Sequence, residues 1–418
     1  MTAMHAASPQ MSSPLISENL MAMAQQAACL PDLGIPGSQL LAAGKIEEAA
    51  AFYRQMLSLD AESRTAHAGL YCACFALGDR HRAAAHLGRA MQWPAVLALP
   101  YRGIGEPVPV LLLISINAGN ALVQRFLNDR IFRTSVLLVE LFRDEIALPP
   151  HRLIVNAVGD ADIRAEALAE VARVLARSSA PVINPPDRVL ATGRCENAKR
   201  MRGIPGVLAP RSLMLPRERL LSAAAVEELY AHGFEFPLLV RTPGFHMGNN
   251  FVRVEAPGEL GAAISGLPGN DLLVLQYLDG EGADGNTRKY RVLTIGGKLY
   301  PVHLAISKHW KIHYFSADME DHAGHRAEEE RFLSDMPAVL GPAAMNALRE
   351  IQEMLGLDYG GIDFGLNRQG QVLLYEANAT MAVYRPDPDP RWDYRRPVIE
   401  QIYAAARELF LARAHSEV

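Results

Sequence analysis

The chain has 418 residues, with 41 Lys or Arg against 46 Asp or Glu, a formal charge of −5 that carries no electrostatic footprint for DNA or RNA. Half the residues are hydrophobic and 21% are charged, ordinary values for a soluble globular chain and far from those of a disordered one. The longest apolar run, Val108 to Ile116, is broken by Pro109 and Ser115 and falls well short of the ~20 residues of a membrane span. Cys29, Cys72, Cys74 and Cys195 are too few for a disulfide scaffold and lack zinc-ligand spacing, so they read as small buried hydrophobes.

Residues 1–16 are polar, with no basic stretch leading into an apolar one, and are expected to form a disordered tail on a cytoplasmic protein. Residues 17–100 read as helices. The stretch from Gly44 to Leu57 recurs in outline from Gly78, 34 residues on, and Ala49, Ala50 and Ala51 map onto Ala83, Ala84 and Ala85. A 34-residue period with a Gly turn and close-packing Ala positions resembles the tetratricopeptide repeat. Pro31, Gly34 and Pro36 are expected to break the first helix of the first repeat. Two repeats are fewer than a free-standing array needs, so the module should pack on the rest of the chain or pair two subunits as a homodimer. A peptide-binding groove is the alternative.

Residues 101–190 alternate strands and helices. Val108–Ile116, Ser135–Phe142, Arg152–Ala157 and Val182–Ile183 read as strands, with helical spacing over Ala121–Asn128 and a long Ala-rich helix ending at Arg177. That order implies a small parallel α/β domain. Turns such as Gly159-Asp160-Ala161-Asp162 suit ligand binding at strand ends, and no GxGxxG stands here.

Residues 191–418 carry the chemistry. Strands are expected at Leu238–Arg241, Phe251–Val254, Leu272–Leu278, Lys289–Ile295 and Leu299–Ile306, the last two joined by Gly296-Gly297. Pro342–Leu355 is a helix ended by Gly356. Gly360–Leu366 and Gln371–Asn378 form a hairpin, and Gln401–Arg413 is an amphipathic closing helix.

In that last hairpin, period 2 puts Glu376 and Asn378 on one face. A turn centred on Arg368 and Gln369 sets Asp363 opposite Leu374, a diagonal neighbour of Glu376. Two carboxylates and an amide oxygen then converge, a set that a hard divalent cation such as Mg²⁺ resolves with the help of phosphates. Upstream, Gly244 and Gly248 lie in the loop Thr242–Asn250, where backbone N–H groups can cradle phosphate. Arg194, Arg241, Lys289, Arg291, Lys308 and Lys311 are cations that suit a nucleoside triphosphate. The loop Thr242–Asn250 is expected to be a mobile lid.

This order of parts resembles the ATP-grasp superfamily, especially the glutathione synthetase and ribosomal-protein glutamate ligase branch, over roughly residues 105–400. The most specific match is Gly361-Ile-Asp363 with Leu374-Tyr-Glu376-Ala-Asn378. The resemblance implies an α/β fold in which an ATP-grasp body over 191–418 follows a small parallel domain over 101–190. It implies ATP with two Mg²⁺ ions held by Asp363, Glu376 and Asn378. Gln276, Tyr277 and Leu278 would line adenine, and one of Asp279, Glu281 and Asp284 would take the ribose. Thr287–Arg291 would bring Lys289 and Arg291 to the phosphates, with Arg291 and Arg241 in catalysis. Arg194 and Arg241 stand where the family usually has two lysines, which keeps the charge and adds bidentate phosphate binding. Ala379 to Arg385 replaces the family's usual Pro-Gly segment, so the acceptor site differs.

The activity implied is a carboxylate–amine ligase. It forms an amide through an acyl phosphate and releases ADP and phosphate, with small-molecule or peptide substrates. The alternatives are a non-catalytic adaptor and a phosphotransferase on the same fold. His303, Lys308, Lys311 and Arg385, with His309 and His313, could face the acceptor pocket; no zinc spacing is present. The charged run from Asp318 to Arg331 reads as a solvated loop and helix face.

Overall fold

The computed structural model describes residues 35–42, 45–91, 95–116, 119–243, 248, 250–314 and 317–416. The expected tail, Pro31, Gly34, Gly44, Cys29 and Gly244 lie outside them, as does most of the expected lid. The chain forms two compact units. The first takes in residues up to Asn120 with Asp129–His151, and the second Ala121–Asn128 with Arg152 onward.

Among its described residues the first unit has four helices, α1 (Ile35–Ala42), α2 (Ile46–Leu59), α3 (Arg64–Ala76) and α4 (Arg80–Met91). Ala49, Ala50, Ala66 and Ala73 let α2 and α3 approach closely, and Tyr53 fills the space between them. A Cβ on Gly69 would lie 2.2 Å from the Tyr53 ring, so the small residue is what admits the large one. Ser63 caps α3 by accepting from the Ala66 N–H, and Gly78, at φ +81°, turns the chain into α4. Pro36 does not break α1. It sits in the first turn, where its missing N–H has no helical partner to lose. Three strands follow: β1 (Val96–Ala98) runs antiparallel to β3 (Phe132–Leu138), and β3 runs parallel to β2 (Val108–Ile114).

In the second unit the expected helix over 121–128 is only a 3-10 turn, Val123–Phe126. Phe126 is its anchor, edge-on to Tyr403 at 5.0 Å and tilted on Tyr359 at 5.4 Å. Parallel strands β4 (Leu153–Asn156) and β5 (Val182–Ile183) bracket α5 (Ala165–Leu175), and short helices α6 (Pro186–Leu190) and α7 (Arg194–Met201) lead onward to β6 (Val207–Leu208).

Two antiparallel-built sheets complete it. One has four strands, β7 (Ser212–Pro216), β8 (Leu238–Arg241), β9 (Phe251–Val254) and β10 (Asp271–Gln276), in the order β7-β10-β8-β9. Helices α8 (Arg217–Leu220), α9 (Ala225–Ala231) and α10 (Leu260–Ser265) share one core with it, in which Val240 and Leu272 of the sheet are buried with Leu229, Phe234 and Ile264. The other sheet runs β12-β11-β13-β14-β6, with β11 Thr287–Ile295, β12 Lys298–Ser307, β13 Tyr359–Leu366 and β14 Val372–Asn378. Helices α11 (Ala323–Ser334), α12 (Met336–Leu355) and α13 (Arg396–His415) belong to the same unit. Positive φ at Gly296 and Gly297 closes the β11–β12 hairpin, and Gly356 at φ +66° ends α12 as expected.

Candidate active site

Strand pairing lines up four side chains across the five-stranded sheet. His303 pairs with Arg291, Arg291 with Asp363, and Asp363 with Glu376. Side chains opposite one another on neighbouring strands share a face, so β12, β11, β13 and β14 each present one polar group to the same row. Two bulges flank that row. The extra residue is Val302 on β12 and Tyr375 on β14. The expected pairing of Asp363 with Leu374 is corrected by two residues: the turn is centred on Gln369, so Phe364 pairs with Leu374, and the bulge at Tyr375 then brings Glu376 directly opposite Asp363. A bulge re-aims a strand by one residue, and a reading from the turn alone does not contain it.

Asp363 has no solvent exposure. Arg291 forks onto it, Nε to Oδ1 at 2.6 Å and Nη2 to Oδ2 at 2.8 Å, and Lys289 Nζ reaches Oδ2 at 2.6 Å. Burial alone would raise this carboxyl's pKa; Arg291 and then Lys289 outweigh it and hold the group far below the usual carboxylate range. Burial likewise opposes the Arg291 charge, and Asp363 more than offsets that. On the next strand Glu376 Oε1 receives Arg194 Nη2 at 2.5 Å and Asn378 Nδ2 at 2.7 Å. Its pKa too is lowered, burial being outweighed by Arg194 and Arg241.

Arg194 begins α7, and Arg241 ends β8 of the four-stranded sheet. Burial, then the like charge of Arg194, brings the Arg241 pKa down to about 10, with Glu376 acting the other way. Six elements thus meet at the site: α7, β8, β11, β12, β13 and β14. The predicted residues Arg194, Arg241, Lys289, Arg291, Asp363, Glu376 and Asn378 come together. The Asn378 amide oxygen is engaged, accepting from the Thr380 N–H and hydroxyl at 3.0 Å each.

His303 joins the row from β12. It is buried, lies 4.6 Å centroid to centroid from Tyr314, and burial and then Arg291 hold its pKa well below the usual histidine range. His313 is lowered too, by burial and then Lys289. Other predicted residues are engaged elsewhere. Asp284 is doubly bonded to Arg288, which also holds Glu328. Arg288 lies one residue from Lys289, so strand alternation turns it to the opposite face. Arg385 is exposed, paired with Glu400 and lying over Tyr403. Lys308 is exposed, and Lys311 Nζ reaches the carbonyls of Gly248 and Phe251 at 3.4 Å. Gln276 bonds the Arg211 backbone, ending β10 two residues before the expected Leu278, which is half-buried. Tyr277 lies under Arg253 at 4.3 Å and edge-on to Trp310.

Two acidic residues were missed. Asp162 accepts from the Arg194 backbone N–H at 3.0 Å and faces its Nε at 3.4 Å. Its signal was the doubly acidic turn directly after β4. Glu329 is an exception to the reading of 318–331 as solvated, in which Glu320, Asp321, Glu330 and Arg331 are exposed as expected. It is fully buried and accepts from Tyr394 Oη at 2.5 Å, Tyr314 Oη at 3.3 Å and the Leu304 N–H at 3.2 Å. Phe332 and Leu333, three and four residues on, are buried on the same helical face, and that spacing could have revealed it.

Mg²⁺ takes one or two carboxylates and completes its shell with phosphate and water. Asp363 and Glu376, directly opposed, are the two carboxylates that could serve as such donors, each here paired with a cation of the chain. Among the described residues no group of three or more His, Cys, Asp or Glu could hold a metal. Two carboxylates would leave most of such a cation's shell to phosphate and water. Among the described residues no helix is long and apolar enough to cross a membrane.

No family model matches the chain, and no curated protein matches it. Solved structures of ATP-grasp ligases are similar to it. One is a RimK domain ATP-grasp protein from Sphaerobacter thermophilus, 16% identical, covering 72% of this chain and 99% of its own, with a TM-score of 0.42. VanG D-Ala:D-Ser ligase from Enterococcus faecalis is 13% identical, covers 74% of this chain and 100% of its own, with a TM-score of 0.44. The D-alanine-D-alanine ligase from Coxiella burnetii is 12% identical over 74% of this chain and 95% of its own, with a TM-score of 0.46. All three are remote in sequence, and what the site can do is read from its own residues.

Proposed function

We propose that this chain is an ATP-dependent carboxylate–amine ligase of the ATP-grasp kind, working on small molecules or a peptide. The observation that carries the reading is the paired-carboxylate row, Asp363 against Glu376, ringed by Arg194, Arg241, Lys289 and Arg291. Cations from two sheets and a helix around one buried and one partly buried carboxylate suit a polyphosphate, whose transfer depends on positioning and charge stabilisation rather than on a protein nucleophile. When bound, Mg²⁺ would neutralise charge between the phosphates at Asp363 and Glu376. Arg241 and Arg291 would bind the transferring phosphoryl group, Arg194 and Lys289 the remaining phosphates. The substrate carboxylate would attack the terminal phosphorus and release ADP. The amine would then attack the acyl carbon, and phosphate would leave. Within this reading Gln276, Tyr277 and Leu278 border the nucleobase, an acidic residue after them, Asp284 among the candidates, takes the ribose, and the backbone at Gly244 and Gly248 covers the phosphates. The acceptor pocket draws on His303, with Lys308, Lys311 and Arg385 at its margin. Residues 17–100 serve as a packing or subunit-pairing module, ahead of a small domain over 101–190 and the ATP-grasp body over 191–418.

Trapping with hydroxylamine tests this, because it converts an acyl phosphate to a stable hydroxamate. With Mg-ATP and pools of amino acids, small carboxylates and peptides, the protein should release ADP and phosphate and form a hydroxamate. Glu376→Gln should lower both by roughly 10²–10³-fold with the fold intact. A phosphorylated product retaining the phosphoryl group would overturn the ligase reading in favour of a kinase.

A further inference from the structure

The carboxylates of the row already hold cations of the chain itself: Lys289 and Arg291 sit on Asp363, and Arg194 sits on Glu376. Arg194 and Asn378 both sit on Glu376 Oε1, so a divalent cation that takes that oxygen must displace Arg194. Arg194 is bound a second time, and from a different part of the chain. Its backbone N–H donates to Asp162 Oδ1 at 3.0 Å, which turns Oδ2 toward Nε at 3.4 Å. Asp162 is itself held in a turn, its N–H donating to Asp160 Oδ1 at 3.0 Å. Gly193 makes the approach feasible, since a Cβ there would lie 3.1 Å from Asp162 Oδ1. Both side chains are largely buried, Arg194 at 19% and Asp162 at 22% exposure.

We propose that Asp162 is a positioning residue that takes over the Arg194 guanidinium when Glu376 turns to a nucleotide-borne divalent cation. This rests on the ligase reading above. A guanidinium that loses its only counter-charge in a largely buried site is costly, so a competing metal would meet resistance unless a second carboxylate waits alongside. Asp162 is that carboxylate, and its present contact is longer than the 2.5 Å contact to Glu376. Arg194 can therefore transfer by a small side-chain rotation while its backbone stays anchored. Asp363 differs. Among the described residues Lys289 and Arg291 pair with no carboxylate but Asp363. The Glu376 side of the site is thus the side built to exchange partners.

The test needs no substrate. Thermal stabilisation of the full chain is followed at saturating AMPPNP, a non-hydrolysable ATP analogue, while Mg²⁺ is titrated. Asp162→Asn should raise the Mg²⁺ concentration for half-maximal stabilisation about tenfold, while AMPPNP affinity in EDTA is not weakened. Asp162→Glu, which keeps the charge, should recover most of the loss. Gly193→Ala presses on the same oxygen and should shift the Mg²⁺ requirement in the same direction, so it serves if Asp162→Asn does not fold. An unchanged Mg²⁺ requirement would overturn the proposal, and so would an equal loss of affinity with and without metal, which marks a structural role alone. If the wild type shows no Mg²⁺-dependent stabilisation with AMPPNP, the ligase reading itself fails and takes this inference with it.

Discussion

The two faces of the β11–β13 pair are built from alternating residues of the same strands and do opposite things. On one face Tyr290 stacks on Phe364 at 5.2 Å and meets Phe332 of α11 edge-on at 5.0 Å. One residue along each strand, on the other face, Arg291 forks onto Asp363 with Lys289 and His303 beside them. Apolar stacking is tolerant of small shifts, whereas the paired charges work only at one register. The aromatic face supplies a rigid backing, and the bulges at Val302 and Tyr375 set the register of the polar one.

The largest effect is expected from Asp363→Asn, which strips the counter-charge from both Lys289 and Arg291. Breaking a buried pair in this way costs ~3–5 kcal/mol, and any ATP turnover should go with it. Urea denaturation beside an ADP-release assay checks both at once; wild-type stability would mean that charge pairing does not hold this face together.

Phe364→Ala attacks the backing instead. A cavity under Tyr290 and Phe332 should cost about 3–5 kcal/mol, yet the folded fraction should keep its nucleotide affinity. Calorimetric titration with AMPPNP below the variant's melting point reads this, and a large affinity loss would show that the two faces are not separable.

The smallest effect is on the pH dependence of stability. The folded-state pKa of His303 is depressed, so the unfolded chain binds its proton more readily and stability falls as pH drops below 6.5. Asp363 and Glu376 are also depressed, so their contribution is present above their ordinary values of 3.8 and 4.5 and is lost as pH falls through and below them. Melting temperature should decline from pH 7 downward in two limbs. His303→Gln should flatten the upper limb by a slope of at most about 1.4 kcal/mol per pH unit. Identical profiles for variant and wild type between pH 7 and 5 would place the imidazole in solvent rather than in the row.

Much was legible in the residues themselves. Alternation and Gly turns located β11 through β14, and the apolar neighbours Ile362, Phe364 and Leu373 marked the hairpin bearing Asp363 and Glu376 as core. Local periodicity and turn chemistry are properties of short stretches, so one sequence suffices to read them. The helix at 35–42 and the mere turn at 123–126 were misjudged because each depends on position within an element or on packing against distant aromatics.

The sequence by itself determined the parts list: two carboxylates and an amide at the end of a hairpin, the cations Arg194, Arg241, Lys289 and Arg291, and the strands that carry them. Only the tertiary structure decided how they meet. The turn register and the bulge at Tyr375 put Asp363 directly against Glu376, and α7 and the turn at 159–162 bring Arg194 and Asp162 to them. Glu329, read as solvated from its charged neighbours, is buried against Tyr314 and Tyr394. The physical reason is common to all three. A residue type records which charge is available, while register and burial are set by backbone pairings and packing between segments as far apart in the chain as Arg194 and Glu376, which no local pattern encodes.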